Sequence, residues 1–125
     1  MIDNDDGTIT DSATELMWER AGSDTKYNHD AAVARCGDLT LAGHTDWRLP
    51  TIRELISIVD YERRNLAIHP AFKTAARFYW SATTFAMFPD FAWYVDFFNG
   101  FVGSGNKDFD FYVRAVRTGS SKEKP

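Results

Sequence analysis

Three histidines, one cysteine and an acidic run near the N-terminus are the side chains of this 125-residue sequence that could carry out chemistry. Nucleophilic hydrolysis needs a hydroxyl or thiol beside a His base that a carboxylate orients. His29, His44 and His69 stand in no nucleophile motif, and His29 and His44 read as a helix-start residue and a loop residue. Zinc needs Cys and His ligands clustered at short spacings, which Cys36 and three dispersed histidines do not supply. The run Asp3-Asn4-Asp5-Asp6-Gly7 raises calcium, because a hard cation wants several oxygens from a tight turn. Counted from Asp3, however, the glycine falls at position 5 instead of 6, and position 12 is Thr14 instead of Glu. A solvated turn with Asx-type hydrogen bonds is the expectation there. No catalytic residue, no metal and no cofactor are expected.

The aromatic side chains offer a different chemistry, that of recognition. All ten Phe lie between Phe72 and Phe111, and residues 72–112 hold 15 of the 19 aromatics. Between Ala92 and Phe98 the apolar pattern has period two, with Trp93, Val95 and Phe97 on one strand face and Tyr94, Asp96 and Phe98 on the other. The first face is expected to point inward. Tyr94, Asp96, Phe98 and Phe101 then point outward, and Phe109 and Phe111 sit in a Gly/Ser/Asp-rich segment. Phe72, Phe78 and Phe97 are assigned to the fold, Phe85 to neither set, while Phe88, Phe91, Phe98, Phe101, Phe109 and Phe111 exceed what one side of a small sheet can hide. Exposed aromatics among Gly, Ser, Asn and Asp have the composition of a binding surface, rigid anchors beside adaptable polar groups.

The elements that must position these residues are legible in outline. Asp5-Asp6-Gly7 and Asp11-Ser12-Ala13-Thr14 are turn chemistry around the strands Thr8–Thr10 and Leu16–Trp18. Asn28 caps a helix that runs to about Asp38. Thr51-Ile52-Arg53-Glu54 is a capping box, and Ile52, Leu55, Ile56 and Val59 make one apolar stripe of a helix that ends near Tyr61. Trp47 is placed in the core, with Arg48 paired to a carboxylate near that helix start and Arg114 and Arg117 in ion pairs. Strands follow over 80–84 and 92–98, then a hairpin at Asn99-Gly100, a loop from Gly103 to Asp110, and a last strand over 112–118. This is an α+β plan: one domain over residues 1–118, with 119–125 a flexible polar tail.

Composition narrows the classes. The chain is 44% hydrophobic and 26% charged, within the globular range. Residues 1–60 carry 12 acidic and 5 basic side chains, against 6 and 9 over 61–125, for a net charge of −4. The basic residues are scattered, which argues against a nucleic-acid partner. No apolar run approaches a membrane span, so direct membrane insertion is not expected, and no leader pattern opens the sequence. The start at MIDNDDGT reads as that of a mature or trimmed domain.

The phrases DGTITDSATELMW, LTLAGHTDWRLPTIRELISIVDY, YWSATT, WYVDFFNG and YVRAVR, in this order, closely resemble the Lcl C-terminal domain family, over about Asp3 to Arg117. That family is named for the tail of a collagen-like bacterial adhesin. It is similar to C-type-lectin-like and formylglycine-generating-enzyme-like domains, whose RLPTEAEWE-like and GFR-like phrases resemble RLPTIRELI and YVRAVR here. The resemblance implies a C-type-lectin-like fold: a small twisted antiparallel sheet flanked by two helices, paired N- and C-terminal strands, and a loop-rich ligand face. It also implies a parent protein at the cell surface or secreted, binding glycans or proteins. Many relatives carry a second Cys where this chain has Ala115, which leaves Cys36 as a buried free thiol. The oxidation chemistry of the enzyme relatives depends on paired cysteines, which one Cys cannot supply.

The expectation is therefore a non-catalytic recognition domain with its ligand face in residues 85–111. A protein partner is favoured over a glycan, because Phe outnumbers Trp and Tyr in the outward set. A polysaccharide- or glycosaminoglycan-binding adhesin is the alternative, and a formylglycine-generating-enzyme-like enzyme the second. Some relatives of this fold, bacterial or phage, are variable proteins of diversity-generating retroelements, diversified at template adenines. Phe88, Asp90, Phe91, Tyr94, Asp96, Phe98, Phe101, Gly103, Ser104, Gly105, Asp108, Phe109, Asp110 and Phe111 fit such a variable, ligand-binding set. Each residue type among the Phe, Asp, Gly and Ser of that set is reachable from an Asn codon by changing adenines alone. Trp93, Val95, Phe97, Gly100, Val102 and Lys107 are interleaved with them as the fixed framework.

Overall fold

Residues 1–63, 65–75 and 77–118 are described by the computed structural model. In chain order the elements are β1 (Ile2–Asp3), β2 (Thr8–Asp11), β3 (Leu16–Glu19), α1 (His29–Gly37), α2 (Ile52–Ile56), β4 (Phe78–Thr84), β5 (Phe91–Asp96), β6 (Phe101–Asn106) and β7 (Val116–Thr118). Residues 119–125, the expected polar tail, lie outside the described residues.

Short polar side chains reverse the chain at its start. Asp3 Oδ1 accepts from the Asp5 amide at 2.9 Å, and Asp6 Oδ1 accepts from the amide and hydroxyl of Thr8 at 3.1 and 2.6 Å. Asp11 closes the next turn the same way, accepting from the Ala13 amide at 3.0 Å. The acidic run therefore forms Asx turns between β1 and β2. The two hairpins and the last strand make an antiparallel sheet in the order β1-β2-β3-β7, in which Trp18 pairs with Val116. The N-terminal strands are thereby joined to the last described strand.

The other sheet is β4-β5-β6, also antiparallel. The molecule thus has two small sheets where one was expected. Residues 111–118 explain the difference, because they serve both. Tyr112 bridges Tyr79 of β4, and four residues later Val116 enters β7 beside β3. The expected single strand over 112–118 is accordingly only three residues long.

Two hydrophobic clusters form on opposite sides of this framework. One holds Ile9, Trp18, Leu55, Ile58, Ile68, Phe72, Tyr79, Val95 and Phe97; the other holds Met17, Ala32, Cys36, Trp47, Leu49, Trp80, Ala92, Val113 and Ala115. Neighbours in sequence divide between them, Met17 from Trp18 and Tyr79 from Trp80, as strand alternation requires. The helices complete the clusters, α2 with Leu55 and α1 with Ala32 and Cys36. Complete burial of a side chain such as Leu55 stabilises by roughly 2 kcal/mol.

The capping box is present: Thr51 Oγ1 accepts from the Glu54 amide at 3.2 Å, and Glu54 Oε1 accepts from the Thr51 amide at 2.9 Å. The helix it starts has only five residues and stops well before Tyr61. Val59 leaves it to bridge Ile68, with the Asp60 amide donating to the Ala67 carbonyl at 3.0 Å. Leaving the helix buries Ile58, which the apolar stripe would have excluded.

Trp47 lies in the core as expected, and Arg48 holds Glu54 through two bonds of 2.7 and 2.8 Å. Burial raises the Glu54 pKa, but the Arg48 guanidinium and the Thr51 amide outweigh it and hold the carboxyl below its usual range. Arg117 pairs with Asp46 at 2.6 Å. Arg114 corrects the sequence expectation, for it makes no ion pair among the described residues. Completely buried, it donates to the carbonyls of Glu19 (2.6 Å), Arg20 (2.5 Å) and Lys73 (3.2 Å) and to the Thr74 hydroxyl. Its plane also lies over the Phe72 ring, 4.9 Å from the centroid.

Candidate binding face

β5 is the middle strand of the second sheet, so its register decides where the aromatic residues go. Trp80, Tyr94 and Gly103 lie abreast on one face, as do Phe78, Asp96 and Phe101. Phe91, Trp93 and Val95 lie on the opposite face. The expected inward set does not hold as one face. Val95 and Phe97 are buried in the first cluster, but Trp93 is only half-buried, and Ala92 is buried in the second cluster. Helices and loops cover part of each side of this sheet, so neither side is wholly inward.

The Tyr94 face is a platform of rings. Phe78 stacks on Tyr94 at 4.6 Å, and the edge of Phe111 meets both at 5.1 Å while its ring tilts onto Trp80 at 4.4 Å. Glycines make the floor. A Cβ on Gly103 would stand 2.6 Å from the Tyr94 hydroxyl oxygen, and one on Gly105 would stand 3.3 Å from the Phe111 ring. This explains why Gly103-Ser104-Gly105-Asn106, expected in a loop, belongs to strand β6: the cross-strand Tyr94 ring and the Phe111 ring cover the glycines and supply the packing they lack. Phe101 and Phe109 rise at the margins, 70% and 56% exposed. Beside them Lys26, Arg77, Phe78, Asp110, Phe111 and Tyr112 line a cavity of about 220 Å³, with an aromatic floor and a charged rim.

A second aromatic group occupies the other side. Phe85 meets Trp93 edge-on at 5.0 Å and Phe88 at 5.8 Å, and Phe88 meets Phe91 at 6.1 Å. Phe98 projects from the hairpin tip, 45% exposed.

The predicted site residues thus divide. Phe88, Asp90, Phe98, Phe101, Asp108, Phe109 and Asp110 are exposed; Phe91, Tyr94, Asp96, Gly103, Ser104 and Phe111 are half-buried; Gly105 is buried. Asp96 holds the turn, with Oδ1 accepting from the Phe98 amide at 2.9 Å. Asp90 and Asp108 come together in a separate polar cavity of about 360 Å³ with Asn28, Asp30, Asn106 and Lys107. Three apolar residues of this region absent from the predicted set join the surface, among them Val102 of the expected framework, 39% exposed. Phe78, assigned to the fold from sequence, is 36% exposed, and Met87 is 76% exposed. Met87 lies in a short apolar run before Pro89, too brief for a buried element, and that was its available signal.

Two of the three histidines are engaged in structural contacts. The His29 ring, packed edge-on against Trp80 at 5.2 Å, shares a hydrogen bond of 2.8 Å with the Ser81 carbonyl, and His69 Nδ1 accepts from the Ala71 amide. Among the described residues no group of three or more His, Cys, Asp or Glu is placed to hold a metal ion. No helix among them is long and apolar enough to cross a membrane.

Two consequences can be measured. Burial pushes the free Cys36 thiol up to about 12. Ellman's reagent at mildly alkaline pH should leave Cys36 unmodified until denaturant is added, and prompt reaction would contradict its burial. Burial also lowers the His29 pKa below its usual 6.5, so the unfolded chain takes up a proton there first. His29 should therefore contribute full stability above about pH 6.5, a contribution lost as the pH falls towards its folded pKa. The urea midpoint should drop more between about pH 7.5 and 5.5 for the wild type than for His29→Gln. Equal drops would exclude His29 as the cause.

Taken together, fold and surface define a small α+β domain that displays aromatic side chains on a rigid antiparallel sheet. A family model described as the Lcl C-terminal domain matches residues 7–117, and the chain belongs to that family. Membership fits a ligand-binding or adhesin-type domain. No curated protein matches the chain.

Proposed function

We propose that this chain is a non-catalytic recognition domain of C-type-lectin-like kind that binds a protein partner through the aromatic face of its second sheet. The observation that carries this reading is the exposure of Phe78, Phe101 and Phe109 around the Tyr94 and Phe111 rings of that face. Contiguous exposed apolar surface on a small domain marks an interaction site. Phe101 and Phe109 are the anchors, and the neighbouring cavity accepts a partner's apolar side chain while Lys26, Arg77 and Asp110 set polarity at its rim.

The finer reading is that this is the variable protein of a diversity-generating retroelement. The exposed members of the predicted set can change without disturbing either core, which supports it. Gly103 and Gly105 fit less well, since larger residues there must displace the Tyr94 and Phe111 rings. A near-identical repeat differing at adenines, beside a reverse-transcriptase gene, is the expected genomic setting. Its absence would remove the retroelement reading and leave the binder.

The binding test compares capture on the immobilised wild type with capture on a Phe98→Ser/Phe101→Ser/Phe109→Ser variant. A protein retained only by the wild type, with binding little weakened by salt, is the expected result. Retention of an anionic polysaccharide with steep salt dependence would overturn the protein reading in favour of the adhesin alternative.

A further inference from the structure

β6 is the outer strand of its sheet, and its far edge carries no partner strand among the described residues. The register shows which backbone groups that edge offers. The Lys107 amide donates to the Asp90 carbonyl at 2.8 Å, so odd-numbered residues of β6 turn their backbone groups towards β5. Val102, Ser104 and Asn106 therefore turn theirs outward. The Asn106 carbonyl already accepts from the Phe109 amide at 2.9 Å. Among the described residues nothing pairs with the N–H and C=O of Val102 and Ser104.

Native edge strands are commonly protected by charge, proline or a covering element. Residues 97–106, Phe-Phe-Asn-Gly-Phe-Val-Gly-Ser-Gly-Asn, contain neither charge nor proline. Phe101 and Val102 on this strand are 70% and 39% exposed. The unpaired edge is thus apolar and open to strand addition.

We propose that the occupant is a second copy of this chain, added antiparallel at β6 about a two-fold axis through Gly103. In this register Val102 lies opposite Ser104 of the second copy, and the four free groups of each copy pair in full. Side-chain sizes are also self-complementary. Phe101 lies opposite Gly105 of the second copy, where no Cβ intrudes, and can pack beside the Phe109 and Phe111 rings that cover that glycine. Gly103 meets its own counterpart at the axis. An isologous contact must match itself in this way, which an arbitrary peptide ligand would not require. The product is a continuous six-stranded sheet with both ring platforms on one side. Each copy would then complete the other's aromatic surface.

Sedimentation velocity on the 125-residue chain, from about 1 µM to 1 mM, tests the proposal. A concentration-dependent monomer–dimer equilibrium is expected. Ser104→Pro removes only an outward N–H, so it should weaken dimerisation at least about tenfold and leave the β5 ladder formed. Val102→Lys, which places a charge at the exposed edge, should do the same and decides the matter if the proline variant fails to fold. A wild type monomeric throughout the range overturns the proposal, as does a dimer that Val102→Lys leaves intact. Edge-dependent binding of an extended peptide by a monomeric wild type would assign the strand to a different occupant. Because no foreign partner enters this experiment, its failure is separate from failure of the protein-binding reading.

Discussion

Arg114→Ala should destabilise the fold by about 3–5 kcal/mol, the largest effect expected of any single substitution considered. The guanidinium is completely buried and gathers the carbonyls of Glu19, Arg20 and Lys73 together with the Thr74 hydroxyl. Removing it leaves three carbonyls and a hydroxyl without that donor and opens a cavity beside Phe72. Burial lowers the Arg114 pKa, offset in part by Tyr79 and by Glu19, which Arg35 holds at 2.6 Å. Arg114→Lys isolates the geometry, because an ammonium keeps the charge but cannot reproduce the planar fork. It too should unfold early, in thermal melts followed by near-ultraviolet circular dichroism. The change for Arg114→Ala should be a drop in Tm of roughly 10–20 °C. A melting point unchanged in both variants would show that water or neighbouring donors replace the guanidinium without cost. The binding face is coupled to this site, since Arg114 anchors the run that carries Phe111 into the ring platform.

The second large effect separates binding from stability. Phe98→Ser/Phe101→Ser/Phe109→Ser should weaken partner binding at least about 100-fold, as loss of several aromatic anchors does at protein interfaces. All three side chains are exposed by 45% or more, so the same variant should change stability by less than about 1 kcal/mol. Phe111→Ser is the counter-example. Its ring is half-buried, 4.4 Å from that of Trp80, and packs over Gly105, so this change should cost about 2–3 kcal/mol. Calorimetry of binding and of unfolding on both variants reads the two properties independently. Binding retained by the triple variant would remove these rings from the interface. A collapsed Tm in the triple variant would show instead that they belong to the core.

Local chemistry was legible without the structure. Asn28 caps α1, Thr51 and Glu54 form the capping box, and the N-terminal aspartates make Asx turns, because each depends on side chains within four residues. The exposure of Phe88, Phe98, Phe101 and Phe109 also followed from sequence, through strand alternation and surplus aromatic count. Where contacts are distant in sequence, the expectations failed. The second helix ends early because Val59 finds Ile68, and Gly103–Asn106 is a strand because Tyr94 and Phe111 roof its glycines. Phe78 joined the surface through its stacking on Tyr94.

By itself the sequence determined an α+β chain, its family and an aromatic surplus confined to residues 72–112. Periodicity and composition carry the first and the last without any knowledge of neighbours, and the resemblance of five phrases in order carries the family. Only the tertiary structure decided that the framework is two sheets joined by residues 111–118, and that the surplus rings divide between two sides and a hairpin tip. The physical reason is that a strand's alternation says which residues share a face, but not what covers it. Both faces of β5 are partly covered here, one by each core cluster, and only what remains uncovered is available to a partner.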